Sequence, residues 1–142
     1  MSSWLDVQKL EGDAVLPSYG SAGAAGLDLY AANSVFLYPG KPQLIFTHIA
    51  LSIPKGCVGM ICERSSLAKR GIRVGGGIID EDYRGEIKIL LTNTSPIGTY
   101  QILKGDRVAQ LLILPLQRVT VSEVKLLEPT ERNESGFGST GR

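Results

Sequence analysis

Residues 35–62, VFLYPGKPQLIFTHIALSIPKGCVGMIC, contain the clearest structural pattern in the chain. Runs rich in Val, Ile, Leu, Phe and Tyr alternate there with the turn signals PGKP and PKG, as expected for short β-strands joined by tight turns. Turns about ten residues apart, continued toward the C-terminus, are typical of an all-β sandwich or barrel. The predicted strands are Val35–Tyr38, Leu44–Ile53, Cys57–Cys62, Glu86–Thr92, Val108–Leu114 and a weaker candidate at Val119–Val124.

The composition fits one domain with a packed core. The chain has 142 residues, 43% of them hydrophobic and 20% charged, and its 17 glycines and 7 prolines favour turns over long helices. A net charge of +1 provides no basic field for a nucleic acid polymer. Without an apolar run of about 18 residues or a signal-peptide pattern, we expect a soluble intracellular protein of the cytoplasm or nucleus with no membrane partner.

The cysteines and the single histidine give little sign of a metal or redox site. Cys57 and Cys62 are five residues apart in a predicted strand and so face opposite sides, which favours two buried free thiols over a disulfide. His48 lies in another predicted strand, and we expect it to be structural and not part of a catalytic triad.

One short helix is expected after Arg64. Ser65 or Ser66 can cap its N-terminus, and Gly71 can end it. Free N–H groups, two hydroxyls and a guanidinium at a helix start form an anion site, for which phosphate is the obvious anion. The structural alternative is a plain serine cap beside a surface arginine.

The stretch VGGGIIDEDYRGEI, residues 74–87, is the most unusual in the chain. Three consecutive glycines cost backbone entropy, so we expect a close approach or unusual dihedral angles there. A hairpin tip near 81–85 would hold Asp80 and Tyr83 close together, with Asp80 as a general base and the hairpin backbone reading a planar base edge. The alternative is an acidic surface hairpin.

Three further positions suggest ligand contacts. Asp28 follows the small residues GAAG at 23–26, where the alternative is an edge strand whose carboxylate caps a turn. Gln110 is a polar residue in an apolar strand and needs a partner if buried, either a ligand or, as we favour, backbone. Phe137 lies among glycines and hydroxyl residues, which suits stacking on a base, although a disordered terminus has the same composition.

Five motifs in this order resemble those of the trimeric dUTPase (deoxyuridine triphosphatase) family. Each is weak alone, but five in order within 142 residues are highly specific. The resemblance runs from about Pro17 to the C-terminus. The motifs are AAGLDLYA at 24–31, RSSLA at 64–68, GGIIDEDYRGE at 76–86, KGDRVAQL at 104–111 and GFGSTG at 136–141.

This resemblance implies a jelly-roll-like β fold and a homotrimer whose active sites are shared between chains. It also implies hydrolysis of dUTP to dUMP and pyrophosphate with Mg²⁺, which lowers dUTP and supplies dUMP for thymidylate synthesis. The chain would then consist of a β domain at 1–131 and a flexible arm at 132–142 that closes over an active site.

The resemblance also assigns roles to individual residues. Asp80 matches the aspartate that deprotonates the attacking water, Tyr83 the tyrosine against the deoxyribose, and Gly77 the backbone that reads uracil. Asp28 resembles an aspartate near the water shell of the metal. The other substrate-binding positions, with Phe137 stacking on uracil, are Arg64, Ser65, Ser66, Gln110, Arg132, Phe137, Gly138, Ser139 and Thr140.

Four positions depart from the family pattern. Glu63 stands before Arg64 where proline is common, and Ser66 takes the place of a glycine. Asn133 and Glu134 replace glycines, so closure of the arm is expected to be stiffer or opposed by charge. The alternative is therefore a non-catalytic nucleotide-sensing or protein-binding trimer on the same fold. Among enzymes, the alternative is a related dCTP deaminase or a dUTPase of broadened specificity.

Overall fold

The computed structural model describes residues 4–141 and contains, in this range, eleven β-strands and one short helix. Among the residues described, no helix has the length and apolar composition to span a membrane. In chain order the elements are β1 (Asp6–Lys9), β2 (Ser18–Tyr19), β3 (Leu27–Tyr30), β4 (Val35–Leu37), β5 (Gln43–Ser52), β6 (Cys57–Cys62), α1 (Ser65–Lys69), β7 (Ile72–Gly75), β8 (Ile78–Ile79), β9 (Glu86–Asn93), β10 (Tyr100–Ile102) and β11 (Arg107–Pro115).

Two antiparallel sheets and a small ribbon make up the fold. The first sheet has the strand order β1-β5-β9-β7, and the second has the order β2-β3-β11-β6-β8. Strands β4 and β10 pair with each other in the ribbon. Because most neighbours in a sheet are not consecutive in sequence, the chain crosses repeatedly from one sheet to the other. This arrangement confirms the expected all-β, jelly-roll-like sandwich with one short helix.

The hydrophobic core lies between the sheets, where alternate side chains of strands such as β3, β6 and β9 are buried. In β9, Ile87, Ile89 and Leu91 are almost completely buried, while the residues between them are not. Leu111 of the second sheet and Ile102 of the ribbon belong to the same apolar cluster. Burial of each such side chain stabilises the fold by about 1.5–3 kcal/mol.

The list of predicted strands contains five of the eleven strands in the described chain and lacks the other six, which are β1, β2, β3, β7, β8 and β10. Five of the six predicted strands are present with bounds that differ by at most one residue. The sixth prediction, Val119–Val124, is wrong, because that segment is exposed and has no strand beside it among the residues described. Alternating valines suit a strand, but they form one only where a neighbouring strand supplies hydrogen bonds.

Strand β5 contains a bulge at His48. The pairing of β5 with β9 changes register between Phe46 and Ala50, and His48 has a φ of +55°. The Glu86 carboxylate accepts the His48 backbone N–H at 3.1 Å, which satisfies the donor that the bulge leaves unpaired. His48 thus lies in a strand, as predicted.

The two cysteines lie at the ends of β6, and both are free thiols. The expected absence of a disulfide between Cys57 and Cys62 is therefore confirmed. The expectation that both are buried is wrong, since each is only half-buried.

Candidate active site

The three glycines at 75–77 carry the chain from one sheet to the other. Gly75 ends β7 in the first sheet, and the next strand, β8, pairs with β6 in the second. Gly76 has a φ of +57°, and the Gly77 carbonyl accepts the Ile61 N–H at 2.7 Å. A Cβ at Gly77 would overlap the Ile61 carbonyl oxygen. The glycine run therefore serves a close backbone approach, as the sequence predicts.

The predicted hairpin tip at 81–85 is wrong in its strand pairing. Strand β8 pairs with β6 and not with β9, so the residues between β8 and β9 form a loop that returns to the first sheet. The β9 partner on this side is β7. Hydrophobic alternation marks both short strands but carries no information on which sheet each one joins.

This returning loop brings Asp80 and Tyr83 to one pocket of about 210 Å³. The Tyr83 N–H donates to the Asp80 carbonyl oxygen at 3.2 Å, which closes a turn between the two residues. The Asp80 side chain is exposed, and a carboxylate that meets solvent at the mouth of a pocket can accept a proton from water. The pocket is lined by Gly76, Ile78, Ile79, Asp80, Tyr83, Glu86 and Lys88.

The Tyr83 ring is fixed by two contacts within the loop. Its hydroxyl donates to the Glu86 carbonyl oxygen at 2.9 Å. The ring also packs over Gly85, where a Cβ would overlap the phenol oxygen. Only glycine at 85 leaves room for this ring position.

A second group of polar side chains surrounds Asp28 on β3. The Asp28 carboxylate is only 15% exposed and lies 3.7 Å from Arg64 Nε and 3.7 Å from Arg107 Nη1. Arg64 also donates through Nη1 to the Arg107 carbonyl oxygen at 3.0 Å. Two guanidinium groups around one carboxylate leave a net positive charge, which favours an anionic ligand.

Gln110 joins this group from β11 and is paired with β3 opposite Asp28. Its Nε2 donates to the Glu63 carbonyl oxygen at 2.8 Å, so its partner in this structure is backbone, as favoured from the sequence. Gly26 packs directly on the Gln110 side chain, because a Cβ at Gly26 would lie 2.7 Å from Oε1. The small residues before Asp28 thus make room for Gln110.

The Glu63 carboxylate accepts the Val74 N–H at 3.1 Å, so it is bound to the backbone of strand β7. This hydrogen bond, the Glu63 backbone N–H and the positive charge of Arg73 lower the pKa of Glu63 below its usual value. The carboxylate therefore stays ionised, and its hydrogen bond holds it on the β7 backbone although Glu63 directly precedes Arg64.

Helix α1 begins differently from the prediction. Its N-cap residue is Arg64, with no side-chain cap hydrogen bond, so the expected serine cap is wrong. Because the first helical bonds run from Leu67 and Ala68 to the Arg64 carbonyl oxygen, the N–H groups of Ser65 and Ser66 have no acceptor within the helix. Gly71, with a φ of +81°, follows the C-cap as predicted.

Strand β6 connects the pocket to the arginine group. The Ile61 N–H donates to the carbonyl oxygen of Gly77, which lies between the pocket residues Gly76 and Ile78, and Arg64 follows Ile61 by three residues, beside Asp28. Three residues of extended chain span about 10 Å. Strand β6 and the two residues that follow it therefore link the two groups of side chains.

The C-terminal residues do not reach the pocket of their own chain. Beyond Pro115, the described residues contain no strand or helix, and Phe137 is fully exposed with a φ of +51°. Arg132 donates through Nε to the Ser135 carbonyl oxygen at 2.8 Å, and the Asn133 carboxamide accepts the Thr130 N–H at 3.0 Å. Arg142, the last residue of the predicted arm, lies outside the described residues.

Arg107 is a site residue that the sequence analysis did not single out. Strict alternation along a strand places Arg107 and Gln110, three residues apart, on opposite faces. A bulge between Arg107 and Ala109 changes the register, and Val108 and Ala109 are consecutively buried. The extra residue turns Arg107 toward Asp28, on the same side as Gln110.

The family model described as dUTPase matches residues 13–141 of the chain. A deoxyuridine 5'-triphosphate nucleotidohydrolase of Monkeypox virus is 47% identical over 125 residues, which cover 88% of this chain and 82% of the viral protein. The protein of the same name from Vaccinia virus (strain Copenhagen) is also 47% identical over 125 residues and covers 88% of this chain and 84% of its own length.

Solved structures of phage proteins share the fold. A mutant dUTPase of Staphylococcus bacteriophage 80alpha with dUpNHpp matches with a TM-score of 0.93 at 30% identity, covering 99% of this chain and 100% of that chain. A mutant dUTPase from phage phi11 of S. aureus, described as revealing the coordination of a structural Mg(II) ion, has a TM-score of 0.83 at 29% identity. That match covers 89% of this chain and 100% of the phage chain.

Proposed function

The chain belongs to the dUTPase family and is a dUTP-hydrolysing enzyme, and we propose that Asp80 activates the water that splits dUTP into dUMP and pyrophosphate. The observation that carries the proposal is the course of β6, which pairs with β8 beside the Asp80 pocket and leads, two residues after its end, to Arg64 beside Asp28. A nucleoside in the pocket would then have its phosphates beside the guanidinium groups.

Asp80 is suited to act as the general base. Its carboxylate is exposed at the mouth of the pocket, where a water can lie between it and a bound phosphate. The adjacent turn holds the Asp80 backbone through the Tyr83 N–H. An ionised carboxylate in this place takes a proton from the water as the water attacks.

Tyr83 and Gly77 select the nucleoside in this proposal. The Tyr83 ring, fixed by the Glu86 carbonyl, packs against the deoxyribose where a 2′-hydroxyl would clash. Backbone groups near Gly77 read uracil, because the close packing on Ile61 leaves a tight wall that excludes the methyl group of thymine. The amide pattern of the same wall rejects cytosine.

The phosphates are assigned to the group around Asp28. Arg64, Ser65 and Ser66 offer a guanidinium, two hydroxyls and two backbone N–H groups without helical acceptors. Gln110 contributes its carboxamide, and Arg107 adds a second guanidinium. These donors stabilise the negative charge that grows on the phosphates during hydrolysis.

The residues present fit Mg²⁺ bound chiefly by the nucleotide. Among residues 4–141 no cluster of three or more His, Cys, Asp or Glu side chains is placed to hold a metal ion. The single carboxylate of Asp28, beside the phosphate-binding side chains, suits a hydrated ion that keeps its waters and takes its other ligands from phosphate. Asp28 would contact it through water, and the bound ion would neutralise charge on the phosphate oxygens.

The arm at 132–142 completes the site of another subunit in this proposal, while residues 1–131 form the β domain. The assignment of the arm to another subunit is supported by the exposure of Arg132 and Phe137, which do not line the pocket of their own chain. In a homotrimer with shared sites, Phe137 would stack on uracil. The remaining arm residues that would contact the nucleotide are Arg132, Gly138, Ser139 and Thr140.

The first test is pyrophosphate release from dUTP, dTTP, dCTP and UTP, each with Mg²⁺. We expect release from dUTP alone, because uracil and deoxyribose are both selected. Asp80→Asn should still bind dUpNHpp but lose most turnover. Normal turnover in that variant would remove Asp80 from the mechanism.

The non-catalytic alternative is not favoured, given the curated names of relatives that are 47% identical. Tight dUTP binding without any turnover by the wild-type protein would restore it. Release of ammonia from dCTP would instead indicate a deaminase.

A further inference from the structure

Glu81, the residue after Asp80, is fixed by its side chain to a distant turn. Its Oε2 accepts the Gly56 N–H at 2.6 Å, and its Oε1 accepts from Arg118 Nη2 at 3.4 Å. Gly56 lies in the turn between β5 and β6 and has a φ of +77°. Both carboxylate oxygens of Glu81 are thus occupied by groups outside the loop that carries Asp80.

The same turn also holds the chain where it leaves the second sheet. The Gly56 carbonyl oxygen accepts the Leu116 N–H at 2.8 Å, one residue after β11 ends. Arg118, which pairs with Glu81, lies two residues further on. The loop of Asp80, the β5–β6 turn and the start of the C-terminal segment therefore meet at Gly56.

The backbone of Glu81 is held as well as its side chain. Its carbonyl oxygen accepts from Arg84 Nη1 at 2.7 Å. Within residues 4–141 the Asp80 carboxylate has no recorded hydrogen bond or ion pair, so its direction is set by the backbone on either side. That backbone is held by the Tyr83 N–H at Asp80 and by the Gly56 contact at Glu81.

We propose that Glu81 is a positioning residue that fixes the Asp80 carboxylate through its bond to the Gly56 N–H, an inference that rests on the proposed role of Asp80 as the base. Glu81 does not line the pocket and so does not contact the nucleotide. The hydrogen bond to Gly56 restrains the position of Glu81, and the peptide bond between Glu81 and Asp80 carries this restraint to Asp80. A small displacement of a catalytic group is costly, because turnover depends on the alignment of the reacting atoms.

The experiment compares five variants of the full chain with dUTP and Mg²⁺. Glu81→Ala should lower kcat by about tenfold or more while KM and the Kd of dUpNHpp change by less than about twofold. Glu81→Gln should keep kcat within about threefold of wild type, since its amide oxygen can still accept the Gly56 N–H. Glu81→Asp keeps the charge but is one methylene shorter, so it should lose kcat nearly as Glu81→Ala does.

Asp82→Ala is the matched control, because it removes an exposed carboxylate from the same loop with no recorded side-chain bond within residues 4–141. It should retain wild-type kcat. Melting temperature is measured for every variant, and if Glu81→Ala does not fold, the comparison of Glu81→Asp with Glu81→Gln decides. A positioning role requires the amide variant to be the more active of the two.

Equal kcat in Glu81→Ala and Asp82→Ala, or higher kcat in Glu81→Asp than in Glu81→Gln, would overturn the proposal. Asp80→Asn separates this failure from failure of the mechanism. Loss of turnover in Asp80→Asn together with full kcat in Glu81→Ala refutes only the role of Glu81. Full turnover in Asp80→Asn refutes the role of Asp80 as the base.

Discussion

Arg64 Nε lies 3.7 Å from the Asp28 carboxylate, so the guanidinium assigned to the phosphates is paired within the protein itself. Asp28 has two opposing effects on nucleotide binding under the proposed function. It competes with phosphate for Arg64 and Arg107, and it offers a water-mediated contact to Mg²⁺. The two effects can be measured separately, because only the competition with phosphate remains when Mg²⁺ is removed.

Asp28→Asn should therefore bind dUpNHpp more tightly than wild type in EDTA, because both guanidinium groups are released. With Mg²⁺ present, the variant should need a higher metal concentration for half-maximal hydrolysis. Calorimetric titration and a Mg²⁺ series on pyrophosphate release measure the two effects. Weaker binding in EDTA would show that Asp28 holds the arginines in their binding positions instead of competing for them.

Arg107→Ala should raise KM for dUTP by about tenfold or less, since the side chain is half exposed and its ion pairs are screened by solvent. The value of kcat should also fall, by less than about tenfold, because Arg107 is one of the donors assigned to the negative charge that grows on the phosphates during hydrolysis. Lys104→Ala is the control, because it removes a cation that lies three residues before Arg107, in the turn that precedes β11, and is paired with Asp13. An equal rise of KM in both variants would indicate that positive charge attracts the nucleotide in general, and not that Arg107 contacts it.

Gly77→Ala should lower the free energy of unfolding by about 1–3 kcal/mol, because the added Cβ meets a backbone carbonyl that cannot easily move. Denaturant unfolding measures the change. Gly12→Ala is the matched control, since a Cβ there has open space. Unchanged stability with normal dUpNHpp binding would show that β6 and β8 can separate without cost.

Tyr83→Phe should reduce the preference for dUTP over UTP by about fivefold, because the ring loses its hydrogen bond to the Glu86 carbonyl and can shift. The ratio of kcat/KM for the two nucleotides measures this preference. Tyr38→Phe serves as the control, with an exposed ring in the β4–β10 ribbon region. If the ratio is the same in both variants, the hydroxyl does not set sugar selection.

The lowered pKa of Glu63 predicts a pH-dependent contribution to stability. The Val74 N–H, the Glu63 backbone N–H and Arg73 hold this pKa below its ordinary value of 4.5. The stabilisation is therefore fully present above 4.5 and is lost as the pH falls through the folded-state pKa. Thermal unfolding of wild type and Glu63→Gln should differ at neutral pH and converge in acid.

Glu123→Gln, which alters an exposed carboxyl of the C-terminal segment, is the control for that series. Its melting temperature should follow wild type at every pH. A constant difference between wild type and Glu63→Gln down to acid pH would mean that the charge of Glu63 contributes nothing.

Five of the eleven strands could be predicted because their signals are local. In β6, a run of apolar residues between PKG and the polar residues after Cys62 sets both ends of the strand. The glycine run at 75–77 likewise indicated a close approach without its partner being known. That partner, Ile61, belongs to a strand brought near only by the folded sheet.

The parts that could not be predicted depend on distant neighbours. The pairing of β8 with β6 is set by the stacking of two sheets, which alternation within a two-residue strand does not encode. The bulge at Val108 and Ala109 reverses the face of Arg107. Val119–Val124 has strand-like alternation, but the described chain supplies no edge for it to join.

The pocket around Asp80 has one wall in each layer of the sandwich. Ile78 and Ile79 come from the second sheet, whereas Glu86 and Lys88 come from the first. The width of the pocket therefore depends on the position of one sheet relative to the other. A core substitution that does not contact the nucleotide, such as a smaller residue at Ile87, would therefore change the affinity for substrate by changing the relative position of the two sheets.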